Sequence, residues 1–147
     1  MRLRSRGRLR WSMRLVAPAA FLLVACGGQQ KTSGESSVAV VLNAGSLKAT
    51  PAAVRTGPIA FQILNAGTET HEMVLLKTDR RAATLPMAAS GEQAAESAGE
   101  KVDEVEGIAP GATATLRATL EAGHYVLLCN VPGHYMAHMY LDFDVTP

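Results

Sequence analysis

The sequence predicts an all-β protein, a Greek-key β-sandwich with one long acidic insertion of helix-compatible composition. Short apolar or alternating runs recur along the chain, turn residues separate them at regular intervals, and a single long stretch lacks strand character. In order, the predicted strands are Val38 to Leu42, Leu47 to Thr50, Pro58 to Leu64, Met73 to Lys77, Ala112 to Leu120 and Tyr125 to Leu128. Asn43-Ala44-Gly45, Thr56-Gly57-Pro58, Asn65-Ala66-Gly67, Ala109-Pro110-Gly111 and Ala122-Gly123 supply the turns where strands reverse. From Ala112 to Leu120 the period is close to two, placing Thr113, Thr115, Arg117 and Thr119 on the wetter face of a half-buried strand. The exception runs from Arg80 to Gly107, whose alanines, glutamates and small residues suit a short helix or a loop rather than a strand. Glu92, Glu96, Glu100, Asp103, Glu104 and Glu106 against Lys101 give the core of this insertion a charge of −5. It reads as a solvated loop, with docking of a cationic partner as the alternative.

With 147 residues, 48% hydrophobic and 18% charged, the chain suits one folded domain and lacks the composition of disorder. Charge is unevenly placed: Arg2, Arg4, Arg6, Arg8, Arg10 and Arg14 precede any acidic residue. From Cys26 onward eight basic residues face thirteen acidic ones, a net charge of −5 that excludes a nucleic-acid-binding footprint. The arginines are followed by the apolar run Leu15 to Ala25, too short to cross a bilayer and matching a secretory signal. Leu23-Val24-Ala25-Cys26 resembles the lipobox of bacterial lipoproteins, in which the cysteine is lipidated and becomes the mature N-terminus. The expected organisation is therefore a lipoprotein-type signal peptide over 1–25, a flexible tether over 26–37 and a domain over 38–147, exported and held at the membrane through Cys26.

If Cys26 is lipidated, Cys129 is alone in an oxidising compartment, where an unpaired thiol needs a reason. Its surroundings supply one. A predicted strand ends at Cys129, His134 follows five residues on and Met139 five after that, so a thiolate, an imidazole and a thioether share one short loop. A second imidazole from a neighbouring strand completes a set, and His71 stands just after the turn Asn65-Ala66-Gly67. Two histidines and a cysteine in a plane with a distant axial methionine form the ligand set of a blue-copper electron-transfer site.

The two motifs, N-x-G-x-x-x-H from Asn65 to His71 and G-x-Y-x-x-x-C-x-x-P-G-H-x-x-x-x-M from Gly123 to Met139, resemble those of the cupredoxins. The four-residue gaps in the second are most similar to the rusticyanin, auracyanin and sulfocyanin branch, over roughly Val38 to Val145. This resemblance implies one copper ion cycling between cupric and cuprous states, held by His71, Cys129, His134 and Met139. It implies a monomeric electron carrier rather than an enzyme, serving redox proteins such as cytochromes or a respiratory oxidase. Val131, Pro132, Tyr135, Met136 and Ala137 around His134 are expected to form its docking patch, because the resemblance places that histidine near the surface. Tyr125 and Leu127 share the alternation of Cys129 and are expected beneath the site; Asn65 either braces the His71 loop or only makes its turn.

Two positions depart from the family pattern. His138 stands where related proteins usually have glycine before the axial methionine, which points to a reshaped loop. Glu72 stands after His71 where several have asparagine, altering the hydrogen bonding expected near the thiolate. His124 lies outside the ligand positions and is expected to face solvent. A copper-buffering or copper-delivery protein is the alternative function, with Met136, His138 and Met139 as soft donors. Zinc on Cys129, His71 and His134 with an open position is a further chemical possibility that the thioether argues against. A multicopper oxidase or nitrite reductase needs further His-x-His pairs and more chain.

Overall fold

In a computed structural model the described residues are 34–147, so the signal peptide, Cys26 and most of the tether lie outside them. Nine strands are described: β1 Ser36–Asn43, β2 Ser46–Thr50, β3 Ala53–Arg55, β4 Gly57–Asn65, β5 His71–Lys77, β6 Glu100–Ile108, β7 Thr113–Leu120, β8 Gly123–Leu128 and β9 Tyr140–Thr146. They form two sheets, ordered β2-β1-β4-β7 and β3-β9-β8-β5-β6. Pairing is antiparallel except for β1 with β4 and β3 with β9, which are parallel. The chain crosses repeatedly from one sheet to the other, giving the expected Greek-key sandwich.

The core lies between the sheets. Val38, Val40 and Leu42 of β1 and Ile59, Phe61 and Ile63 of β4 face Met73, Leu75, Tyr125, Leu127, Phe143 and Val145 of the other sheet. Phe61 meets Phe143 edge to face, with ring centroids 5.4 Å apart. β7 behaves as its alternation predicts: Thr113, Thr115, Arg117 and Thr119 are exposed while Leu116 and Leu120 are buried. β5 and β8 carry continuous apolar runs because both their faces are covered. On the outer face Val74, Leu76, Val126 and Leu128 pack beneath Ala82, Leu85, Ala94 and Tyr135 in a second cluster.

The acidic insertion differs from expectation. Among the described residues it holds no α-helix, only 3-10 turns at Ala82–Thr84 and Glu96–Ala98, and its last part is the edge strand β6. Two irregularities in the β5–β6 register insert extra residues into β6, one between His71 and Met73 and one between Leu75 and Leu76. They replace the period of two by the spacing of Val102, Val105 and Ile108, all of which reach the main core. Glu100, Asp103, Glu104 and Glu106 lie on this edge strand, which charge keeps from pairing with another chain. β3 and β9 are further strands beyond the six predicted, and β1 begins two residues before Val38.

Candidate metal centre

Antiparallel pairing brings the start of β5, the end of β8 and the start of β9 to one edge of the sandwich. His71 opens β5, Cys129 follows β8, and Met139 precedes β9, so each candidate donor sits at a strand end fixed by the ladder. His134 lies in the intervening loop, which is wound by bonds from His134 N to Val131 O (2.9 Å), Ala137 N to Gly133 O (3.1 Å) and His138 N to Tyr135 O (3.0 Å).

Three of the four predicted donors converge. His71 Nδ1 is 3.7 Å and His134 Nδ1 3.3 Å from Cys129 Sγ, and the two nitrogens are 3.1 Å apart. A point equidistant from all three lies about 2 Å from each, which matches transition-metal bonds to imidazole and comes slightly short of those to thiolate. A soft thiolate with two imidazoles suits copper. Cys129 is 0% and His71 1% exposed, whereas the His134 side chain retains 15%, its Nε2 lying 3.4 Å from an exposed Glu69 carboxylate. Met139 is buried in the core beside them, and its carbonyl accepts the Cys129 N–H at 2.9 Å. Tyr125 and Leu127 lie in the same core as Cys129, as their alternation predicts.

Burial pushes the Cys129 thiol up, opposed by hydrogen bonds from the Glu72 and Val131 N–H groups and reinforced by the Glu72 carboxylate. Burial and the neighbouring His134 lower His71, which Glu69 partly offsets, so His71 favours its neutral, metal-binding form. Glu72 meets the thiolate through its backbone, N to Sγ 3.5 Å, so an asparagine side chain is not needed for this bond. Its own carboxyl is raised by burial, against an Asn130 N–H bond that lowers it, with Glu106, Glu96 and Glu104 adding to the rise.

Asn65 does more than make a turn. Its Nδ2 donates to Glu69 O (2.7 Å) and Ile108 O (2.8 Å), and its Oδ1 accepts from Gly67 N (2.9 Å), bracing the loop before His71. Gly67 is required by contact: a Cβ there would lie 2.9 Å from His71 Nε2, a nitrogen that is buried without a hydrogen-bond partner. Asn130 was not singled out by the sequence. Its amide bonds both backbone groups of Ala94 (2.8 and 3.0 Å) and Glu96 Oε1 (3.1 Å), stitching the acidic segment to the residue after Cys129. Gly133 N donates to Glu92 O at 2.8 Å, a second stitch beside His134.

His138 takes a backbone conformation that glycine adopts freely. At φ +66° it is the one non-glycine residue among those described with positive φ, at a cost on the order of 1 kcal/mol. His124 is not free in solvent: its ring lies 2.6 Å from Thr78 O and 2.9 Å from Asp142 Oδ1, far down β8 from Cys129. Of the expected docking patch, Pro132, Met136 and Ala137 are exposed and Val131 is half-buried. Tyr135 is buried, its hydroxyl donating to Ala82 O at 2.7 Å.

A family model of the sulfocyanin (SoxE) domain matches residues 41–146. The chain belongs to the sulfocyanin family. Auracyanin from Roseiflexus castenholzii, solved after dithionite reduction, superposes on this sulfocyanin with TM-score 0.60 at 20% identity, over 77% of this chain and 98% of its own. Auracyanin A of Chloroflexus aurantiacus, described as a "blue" copper protein, gives 0.56 at 22% identity, over 77% and 100%. Reduced rusticyanin gives 0.53 at 17%, over 76% and 81%. At these identities the structures establish the shared cupredoxin fold. Among curated proteins none matches the sequence. Family membership and the His71, Cys129 and His134 cluster assign one copper ion to this sulfocyanin as its cofactor.

Proposed function

We propose that the protein is a blue copper electron carrier, exchanging single electrons with extracytoplasmic redox proteins, and that Met139 is the axial donor. Bound copper supplies a one-electron couple. The observation that carries the reading is the placement of His134, with Nδ1 at the donor cluster and its Nε2 edge partly open beside Glu69. Donors at buried strand ends limit rearrangement between oxidation states, which favours carriage over metal release. The cluster of His71, Cys129 and His134 can hold a single ion, which suits a carrier of one electron.

The purified protein with one equivalent of cupric ion is expected to show an intense visible thiolate-to-copper band that bleaches reversibly with one electron. A colourless or unstable cupric form with tightly bound cuprous ion makes copper buffering or delivery the function instead.

Docking is assigned to the exposed rim of Pro132, Met136 and Ala137 beside His134, facing a cytochrome or a respiratory oxidase. Met136, 53% exposed, is the largest apolar group there. Met136→Glu is expected to slow electron exchange several-fold in stopped-flow mixing with a redox partner while copper content is unchanged. Unchanged rates would take the rim out of the contact.

Export and anchoring through Cys26 are part of the proposal, supported by the arginine-rich start, the short apolar run and the lipobox. Mass spectrometry of the mature protein is expected to find a lipid-bearing N-terminal Cys26. An unlipidated mature N-terminus would remove the anchor.

A further inference from the structure

We propose that His138 is a positioning residue for the axial thioether, acting through a clasp with Tyr140 that fixes the Met139 backbone from the outer face of the sheet. The inference rests on the reading of Met139 as the axial donor. Methionine has three rotatable bonds and a weak axial bond does little to hold it, so the protein must fix it by other means.

The backbone does part of this. Met139 O accepts the Cys129 N–H at 2.9 Å and Met139 N donates to His134 O at 3.2 Å, tying the residue to two other donors. Tyr140 N donates to His138 O at 2.9 Å, closing a three-residue turn centred on Met139. The side chains close the same span a second time: His138 Nδ1 lies 3.1 Å from the Tyr140 hydroxyl, with the rings edge to face at 5.9 Å. Tyr140 in turn lies against Tyr135 at 5.0 Å, and Tyr135 is anchored by its bond to Ala82 O. The clasp is therefore fastened to the outer core of the sandwich.

His138 is also the residue with the unfavourable backbone, at φ +66°. Glycine would make the same turn without strain. What the imidazole adds is the contact with Tyr140 on the side of the chain opposite the Met139 side chain, bracketing the Met139 backbone, and a strained residue beside a functional group is where such a role is found.

The test compares the copper-loaded wild type with His138→Gly, Tyr140→Phe, the double variant and Met139→Leu, reading the visible band and the midpoint potential. Met139→Leu is expected to change the ratio of cupric to cuprous affinity at least tenfold, about 59 mV for a one-electron couple. His138→Gly and Tyr140→Phe are each expected to change it about threefold in the same direction. The double variant should go no further than the larger single one, because both open the same clasp. Metal-free His138→Gly should melt at or above the wild-type temperature, separating a shifted potential from a damaged fold. Wild-type potentials in both clasp variants, with Met139→Leu shifted, would overturn the clasp and leave the axial role standing. Additive shifts would also overturn it, by showing two separate effects. A wild-type potential in Met139→Leu would overturn the axial reading and this inference with it.

Discussion

Replacing Cys129 with serine is expected to abolish the visible band and to lower cupric affinity by well over about 100-fold, more than the loss of a residue that merely supports a ligand. Sγ lies within 3.7 Å of both imidazole nitrogens of the cluster and is 0% exposed, so no solvent ligand easily takes its place. A serine hydroxyl does not ionise at neutral pH and is a poor match for copper in this set. The fold should survive, because a serine oxygen can accept the Glu72 N–H now directed at sulfur, and the cost should be about 1–3 kcal/mol. The same variant carries a pH signature. Burial raises the Cys129 thiol, so the metal-free protein holds its proton at neutral pH, and copper binding as thiolate releases it. Affinity should therefore rise about tenfold per pH unit until the thiol itself ionises. His71, lowered by burial, stays neutral and adds no slope between pH 7 and 8. Competition titrations at these two pH values should show the slope in the wild type and lose it in Cys129→Ser. A retained band or slope would place the thiolate outside the centre.

Much of the centre was legible because its chemistry lies in local spacing. Cys129, His134 and Met139 sit on one loop, and the turn and glycine ahead of His71 mark the second segment. β5 and β8 were legible as apolar runs, and β7 as an alternation. The features without a local signal depend on long-range contact. β6 is hidden because its register irregularities break the period of two, β3 is only three residues long, and both exist through pairing with β5 and β9. β9 did carry a local signal, since Asp142 and Asp144 alternate with Phe143 and Val145, but the two acids obscured it. His124 looked like a surface residue because Thr78 and Asp142 are remote in sequence, and only the fold brings them to its ring. Asn130 has the same history: its partners Ala94 and Glu96 precede it by more than thirty positions, in a segment with no periodic signal.

Asn65→Ala should couple the fold to the site. Asn65 is 0% exposed, and its side chain satisfies two carbonyls and one N–H from two stretches of chain: Gly67 and Glu69 in the loop before β5, and Ile108 at the end of β6. Alanine leaves these groups without the amide, and an unsatisfied buried group costs about 1–3 kcal/mol. Because the three are neighbours the losses will not simply add, and a total of about 3–5 kcal/mol is expected in urea denaturation of the metal-free protein. The loop from Gly67 to Thr70 then loosens, and with it the one covalent support of His71 ahead of β5. Copper affinity should fall about 10–100-fold, as for other residues that orient a ligand. Asn65→Asp separates the amide's two roles. It keeps an oxygen for the Gly67 N–H but sets a carboxylate against the Glu69 and Ile108 carbonyls, so it should destabilise at least as much as alanine at neutral pH. If Asn65→Ala stays within about 1 kcal/mol of wild type and binds copper equally well, the brace is dispensable and His71 is held by the packing of Gly67 and the β5 ladder alone.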